Sequence, residues 1–175
     1  MSSAGIDARV LSRADKPVQK YFAFLENFMT AAIIAIIAAH MFFEGRFLLT
    51  TPIFIIDYNS IAGFITGIAG LAICRVAQKT IGLSWRVGID EGASPGLITD
   101  GIYSYMRNPT YTGLYLLCAG VWIMSPTALY AFWILIFFIM MEFQVRLEER
   151  YLLEVYGDEY QVYYNSVKRY IPFII

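Results

Sequence analysis

The chain has 175 residues, 58% of them hydrophobic and only 15% charged, with a net charge of -1 and a mean hydropathy of +0.57. An ordinary soluble domain carries roughly 25% charged residues and nucleic-acid binders carry clustered excess Lys and Arg, so composition points to a membrane protein and excludes nucleic acid as a partner. One histidine, His40, and two cysteines, Cys74 and Cys118, all inside apolar runs, argue against a metal site or a disulfide framework.

In chain order the apolar runs are 22–43, 61–77, 111–124 and 128–143. A full span needs roughly 20 residues at 1.5 Å rise each, so the last two are short. The first run follows a long charged lead and has no small-residue cleavage site after it, which predicts a span rather than a cleaved signal. Its Ala32, Ala35, Ala38 and Ala39 form a small-residue stripe. Residues 53–58 are apolar but broken by Pro52, Asp57 and Asn59, a candidate partial or interfacial fifth segment. In the second run Gly63, Gly67 and Gly70 recur at i, i+4 and i+7, which lets another helix approach closely, either inside a bundle or across a homodimer. Ser125 and Pro126 between the last two runs predict a tight helical hairpin. The expected fold is all-α: a polytopic transmembrane helical bundle of four spans, or five with 53–58. It forms a single domain over 1–175, with N-terminal spans in 1–77 and the polar, chemistry-bearing part in 78–175.

Lys and Arg set the expected sidedness. Arg9, Arg13, Lys16 and Lys20 precede the first run; Arg75, Lys79, Arg86 and Arg107 lie around the segment between the second and third; Arg146, Arg150, Lys168 and Arg169 follow the fourth. By the positive-inside rule both termini and the segment 78–108 face the cytoplasm.

Two polar segments carry the chemistry. The stretch 78–109 holds Gly82, Gly88, Gly92, Gly96, Gly101 and Pro95, so it reads as turns that can wrap a ligand, and at about thirty residues it exceeds the roughly 12–15 of an idle loop. It ends at "RNPTYTG", where Asn108 suits a helix N-cap and Pro109 the first helical position. The same helix start, with its N–H groups and the Asn108 amide, is also suited to an anion. The stretch 145–173 contains Gly157, which fits the residue after a helix that ends at Val155 or Tyr156, and Asp158, suited to cap the next helix. That helix sets Tyr160, Tyr163, Tyr164 and Val167 on one side, for the bilayer interface or for covering the bundle, and Pro172 ends it. Glu148 and Glu149 lie about one turn beyond the fourth run. Taken alone they read as a solvated, salt-bridged helix face beside Arg146 and Arg150.

Taken together, "LITDGIYSYMRNPTYTG" and, after a hydrophobic hairpin, "EERYLLEVYGDEYQVYYNSVKRYIPF" resemble the isoprenylcysteine carboxyl methyltransferase family, which is related to the membrane phospholipid N-methyltransferases. The resemblance runs from about Leu83 to Ile174, roughly half the chain. It implies methyl transfer from S-adenosylmethionine to a lipophilic acceptor, with a cytoplasmic cofactor pocket formed by the loop before the hairpin and the C-terminal helices. It implies that backbone around Leu97 and Ile98, the ring of Tyr103, the stretch Asn108, Pro109 and Tyr111, and the pair Glu148 and Glu149 hold the cofactor, with Arg107 and Arg146 the cations nearest the reaction centre. The residue types suit that ligand: carboxylates for hydroxyls or a cation, a tyrosine face for adenine or sulfonium, a helix N-terminus for the cofactor carboxylate.

Two positions depart from the family pattern. Asn108 stands where many members have His, and Gln144 stands four residues before the first glutamate, where members acting on prenylated cysteine have Arg. The reaction class survives both, and the acceptor is what they bear upon. A carboxylate acceptor needs no general base, whereas an amine must first lose a proton, so the expected acceptor is a lipid-borne carboxylate. The alternatives are a phospholipid amine N-methyltransferase, an NADPH-dependent membrane reductase and a non-catalytic membrane scaffold.

Overall fold

A computed structural model describes residues 17–43, 46, 48–55, 57–82 and 96–171, with side chains from residue 24 onward. The expectations placed on residues 1–16, on the 83–95 part of the long loop and on Pro172 lie outside the described residues. Five α-helices follow in order: α1 (Pro17–Phe43), α2 (Asn59–Ile81), α3 (Pro109–Met124), α4 (Ala128–Tyr156) and α5 (Asp158–Ser166), with 3-10 turns at Leu48–Thr50 and Gly101–Ser104. No strand occurs among the described residues, in line with the all-α expectation.

Three helices are long and apolar enough to cross a membrane, over Phe24–Phe43, Asn59–Ile81 and Ala128–Tyr156. Helix α3 has 16 residues, about 24 Å at 1.5 Å per residue, which falls short of a hydrocarbon core of roughly 30 Å. By length, then, three of the four expected spans are full ones. The fifth does not form: the described residues of 53–58 are not helical, and the Ile53 N–H donates to the Pro126 carbonyl at 2.7 Å while Pro52 bridges Thr127. Pro52 and Ile53 thus lie over the α3–α4 turn. The turn itself is the tight hairpin expected of Ser125-Pro126, with Thr127 capping α4 by accepting from the Tyr130 N–H at 3.4 Å.

Burial is inverted relative to a water-soluble domain. Phe24, Phe42, Phe64, Ile65, Phe132 and Leu135 stand exposed on the helix faces, whereas Tyr103, Val145, Tyr160 and Tyr163 are buried where α4, α5 and the start of α3 meet. Exposed apolar side chains on this scale are stable only against lipid. The chain's best polar packing thus sits at one end of the bundle.

Helices α2 and α3 run antiparallel and touch through glycine. A Cβ on Gly63 would lie 2.5 Å from the Gly120 carbonyl oxygen, and one on Gly70 would lie 2.5 Å from that of Gly113. Lipid supplies no hydrophobic drive between helices, so close backbone approach and the dispersion it allows hold the pair together. Of the two readings of the Gly63/Gly67/Gly70 stripe, α3 of the same chain fills the within-bundle one at Gly63 and Gly70. Gly67 differs from its neighbours, because a Cβ there meets only Leu117 Cδ1 at 3.7 Å. Gly70→Ala or Gly113→Ala is expected to cost about 1–3 kcal/mol by overpacking, and Gly67→Ala less than about 0.5 kcal/mol. Thermal unfolding of the detergent-solubilised variants measures the contrast, and equal losses at Gly67 and Gly70 would contradict the packing described.

Candidate active site

Helix α4, at 29 residues, outlasts the hairpin and carries the chain past the start of α3. Gly157 ends it at φ +52, a left-handed position that favours glycine, with its N–H on the Leu153 carbonyl at 2.9 Å. Asp158 is the first residue of α5 rather than its capping side chain, since the N-cap position falls on Gly157. The tyrosine stripe of α5 covers the bundle: Tyr160 is buried, and the Tyr163 hydroxyl donates to the Tyr103 carbonyl at 2.7 Å. Beyond α5 the chain runs beside residues 106–108. There the Arg107 N–H donates to the Lys168 carbonyl at 2.8 Å and the Asn108 N–H to the Arg169 carbonyl at 3.0 Å. The C-terminal segment is therefore strapped across the start of α3.

Glu149 locks that strap. Its Oε1 accepts from Arg107 Nε at 3.2 Å and Nη2 at 3.1 Å, from Asn108 Nδ2 at 3.1 Å and from Arg169 Nε at 3.1 Å; its Oε2 takes Arg169 Nη2. Arg107 also donates to the carbonyls of Tyr164 and Val167, and its guanidinium lies 4.0 Å from the centroid of the Tyr164 ring. Hydrogen bonding to Glu149 holds the Arg169 guanidinium above its ordinary pKa. Arg169 reaches Glu142 at 3.6 Å as well, and the Tyr170 hydroxyl donates to Glu142. With Arg107 and Glu149 both about 7% exposed, these are charge-assisted bonds screened little by solvent.

Glu148, one residue earlier, faces the other way. It lines a partly open cavity of about 640 Å³ between α1, α2, α3 and α4. Its Oε1 accepts from the Tyr111 hydroxyl at 2.8 Å and from Gln144 Nε2 at 2.9 Å, which leaves Oε2 with no hydrogen bond from any described residue. Tyr103, Arg107, Asn108 and Pro109 complete this polar end, and burial pushes the Tyr103 hydroxyl up to about 12, so it is a neutral phenol at physiological pH. Toward the middle of the bundle the walls turn apolar, with Met29 and Ile33 from α1, Leu71 from α2, Leu117 from α3 and Phe137 from α4. One cavity thus joins a hydrogen-bonding end to a hydrocarbon arm.

The structure brings Tyr103, Arg107, Asn108, Pro109, Tyr111 and Glu148 together at the cavity. It does not bring the rest. Leu97 and Ile98 are half-buried in non-helical backbone and are not among the lining residues. Glu149 is turned into the strap. Arg146, with its side chain 64% exposed, pairs with Glu142 at 3.8 Å outside the cavity. Asn108 does occupy the N-cap position with Pro109 first in α3, but its side chain donates to Glu149 instead of capping. Gln144, noticed in sequence only as a departure, is buried and holds Glu148. Arg169 was legible only as a cytoplasmic charge, and no local signal singled out Glu142 or Tyr170. Among the described residues no cluster of three or more metal-ligating groups occurs.

The sequence profile of the family described as phospholipid methyltransferase matches residues 58–159. The chain is 30% identical over 122 residues to the protein-S-isoprenylcysteine O-methyltransferase of Saccharomyces cerevisiae, covering 66% of this chain and 49% of that protein. It is 30% identical over 116 residues to protein-S-isoprenylcysteine O-methyltransferase A of Arabidopsis thaliana, covering 64% of this chain and 58% of that protein. The solved structure of a eukaryotic intramembrane Ras methyltransferase, an isoprenylcysteine carboxyl methyltransferase, is similar with a TM-score of 0.62 at 24% identity, over 92% of this chain and 54% of that one, a likeness of fold. The chain spans about half the length of the curated relatives it matches.

Proposed function

This chain belongs to the phospholipid methyltransferase family, and from that premise we propose that it transfers a methyl group from S-adenosylmethionine to the carboxylate of a lipophilic acceptor. The observation that carries the proposal is Glu148, held by Tyr111 and Gln144 at the point where the polar end of the cavity meets its apolar arm. The donor set fits the cofactor. Glu148 keeps one oxygen for an ammonium or hydroxyl, the Tyr103 ring offers a face, and the start of α3, uncapped by Asn108, offers N–H groups to a carboxylate. When bound, the cofactor supplies the electrophilic methyl group.

The chain's own residues bind, orient and exclude water. Glu148 is fixed by its two donors, so little ordering remains to be done on binding. Arg107 acts as a positioning residue: its donors are engaged by Glu149 and by the Tyr164 and Val167 carbonyls, and through Glu149 it sets Asn108 and the first turn of α3. The apolar arm lowers the local dielectric, which favours a step in which an anion and a cation neutralise each other. No general base is needed for a carboxylate acceptor. Walls come from both 1–77 and 78–175, which supports treating the chain as one domain, with α3 a short fourth segment. The Lys and Arg distribution supports a cytoplasmic polar end and cytoplasmic termini.

Incubation with host lipid extract and methyl-labelled cofactor, followed by mild alkali, tests the acceptor. Labelled methanol is expected, since methyl esters saponify. Label that stays in an N-methylated headgroup would reassign the acceptor to an amine, and no transfer at all from folded protein would remove the activity.

A further inference from the structure

We infer that Trp133 is the floor of the acceptor arm and sets the longest hydrocarbon chain the enzyme accepts; this rests on the acceptor reading above. Along α4 the cavity wall runs from Glu148 and Gln144 through Met141 and Phe137 to Trp133, the lining residue of that helix farthest from the polar end. From Gln144 to Trp133 the helix covers about 16 Å, a distance an isoprenyl or acyl chain must fit within. Around Trp133 the wall is mostly apolar, with Met29, Ile33, Leu117 and Phe137 beside the single hydroxyl of Thr30 and with Glu26 one turn before Thr30 on α1, so a surface that stops the chain is what can discriminate between chains of one chemistry by their length.

Trp133 is built to be such a surface. Its indole Nε1 donates to the Met29 carbonyl of α1 at 3.2 Å, and its ring stacks on Phe137 with centroids 5.1 Å apart and planes 9° apart. Met29 is itself buried at 5% exposure. An indole N–H in an apolar arm needs a partner, and once it has one the ring has no low-cost alternative rotamer. The side chain is therefore pinned at both ends, to α1 by the hydrogen bond and to α4 by the stack. A floor fixed in this way makes a sharp length limit, whereas a Leu or Met there would yield to a longer chain.

The test is methyl transfer to N-acetyl-cysteine thioethers carrying geranyl, farnesyl or geranylgeranyl, with wild type, Trp133→Ala and Trp133→Phe, each checked for retained S-adenosylhomocysteine binding. Trp133→Ala is expected to raise the relative rate on the longest acceptor still accepted, or the next one up, roughly tenfold, a modest figure for a hydrophobic pocket that gains room. Trp133→Phe loses the bond to Met29 but keeps a ring, so it should shift the cut-off in the same direction and by less than Trp133→Ala; a residue that only supported α1 would lower every rate alike in both variants. Should Trp133→Ala not fold, Phe137→Leu opens the same stack and should shift the limit in the same direction. A length profile unchanged in all variants overturns the inference alone. Failure of the wild type to form methyl esters on any of the three and on the fatty acids of matching chain length overturns the inference, and failure on host lipid extract as well overturns the acceptor reading with it.

Discussion

Glu148→Gln lowers affinity for S-adenosylhomocysteine by one to two orders of magnitude while leaving thermal unfolding nearly where it was. Glutamine keeps the shape and one acceptor oxygen, and because Tyr111 and Gln144 both donate to the same oxygen of Glu148, both bonds are retained and the cavity is not emptied. What is lost is the charge on the face turned to the ligand, and a hydrogen bond to a charged group contributes roughly 1.5–3 kcal/mol, or about tenfold to a hundredfold in affinity. Isothermal titration of detergent-purified protein reads the change directly. An affinity within twofold of wild type would mean that Glu148 is not a cofactor ligand.

Glu149→Gln has the opposite signature: the fold suffers first. Its removal leaves Arg107 and Arg169 facing each other across a site that is about 7% exposed at Arg107 and 19% at Arg169, with only a neutral amide between them. Breaking one partner of a buried ion pair costs about 3–5 kcal/mol, which for a chain of this size lowers the midpoint of thermal unfolding by roughly 10 °C. Arg146→Ala is the control, because its pair with Glu142 is solvent-exposed and contributes little. A Glu149→Gln variant as stable as wild type but unable to bind the cofactor analogue would restore Glu149 to the role its position in the sequence first suggested.

That pair shows how far the sequence is legible. Adjacent residues on an α-helix point about 100° apart, an offset that the reading of Glu148 and Glu149 as one pair holding a single ligand did not use. Which of the two lines the cavity was not in the local pattern, because the choice is made by Arg107 and Arg169, residues 42 and 20 positions away in the chain. The same holds for Asn108. Its place before Pro109 correctly marks the start of α3, but the direction of its amide depends on Glu149. Local signals also located the hairpin at Ser125-Pro126, the end of α4 at Gly157 and the tyrosine stripe of α5. Lys168 and Arg169 read as cytoplasmic charge, and only the return of the chain beside residues 106–108 turns Arg169 into a structural cation. Apolar run length marked α3 as short, which it is, but also marked the fourth run as short because it stops at 143, whereas α4 continues through polar residues to Tyr156 and is a full-length span.

The strap over α3 also orders events in time. Arg107 and the Val167 carbonyl that it contacts are 60 residues apart in the chain. At a synthesis rate of about 5–20 residues per second, the ribosome needs roughly 3–12 s after making Arg107 before the last of its partners exists. In that interval the α3–α4 hairpin has no complete polar end, and the Arg107 guanidinium has at most Glu149 of α4 as a protein partner. Insertion into the bilayer and assembly of the cofactor end are consequently separate steps, and the second waits for the release of α5. A translation intermediate arrested before Tyr160 should sit in the membrane with its hairpin formed, yet bind no cofactor analogue.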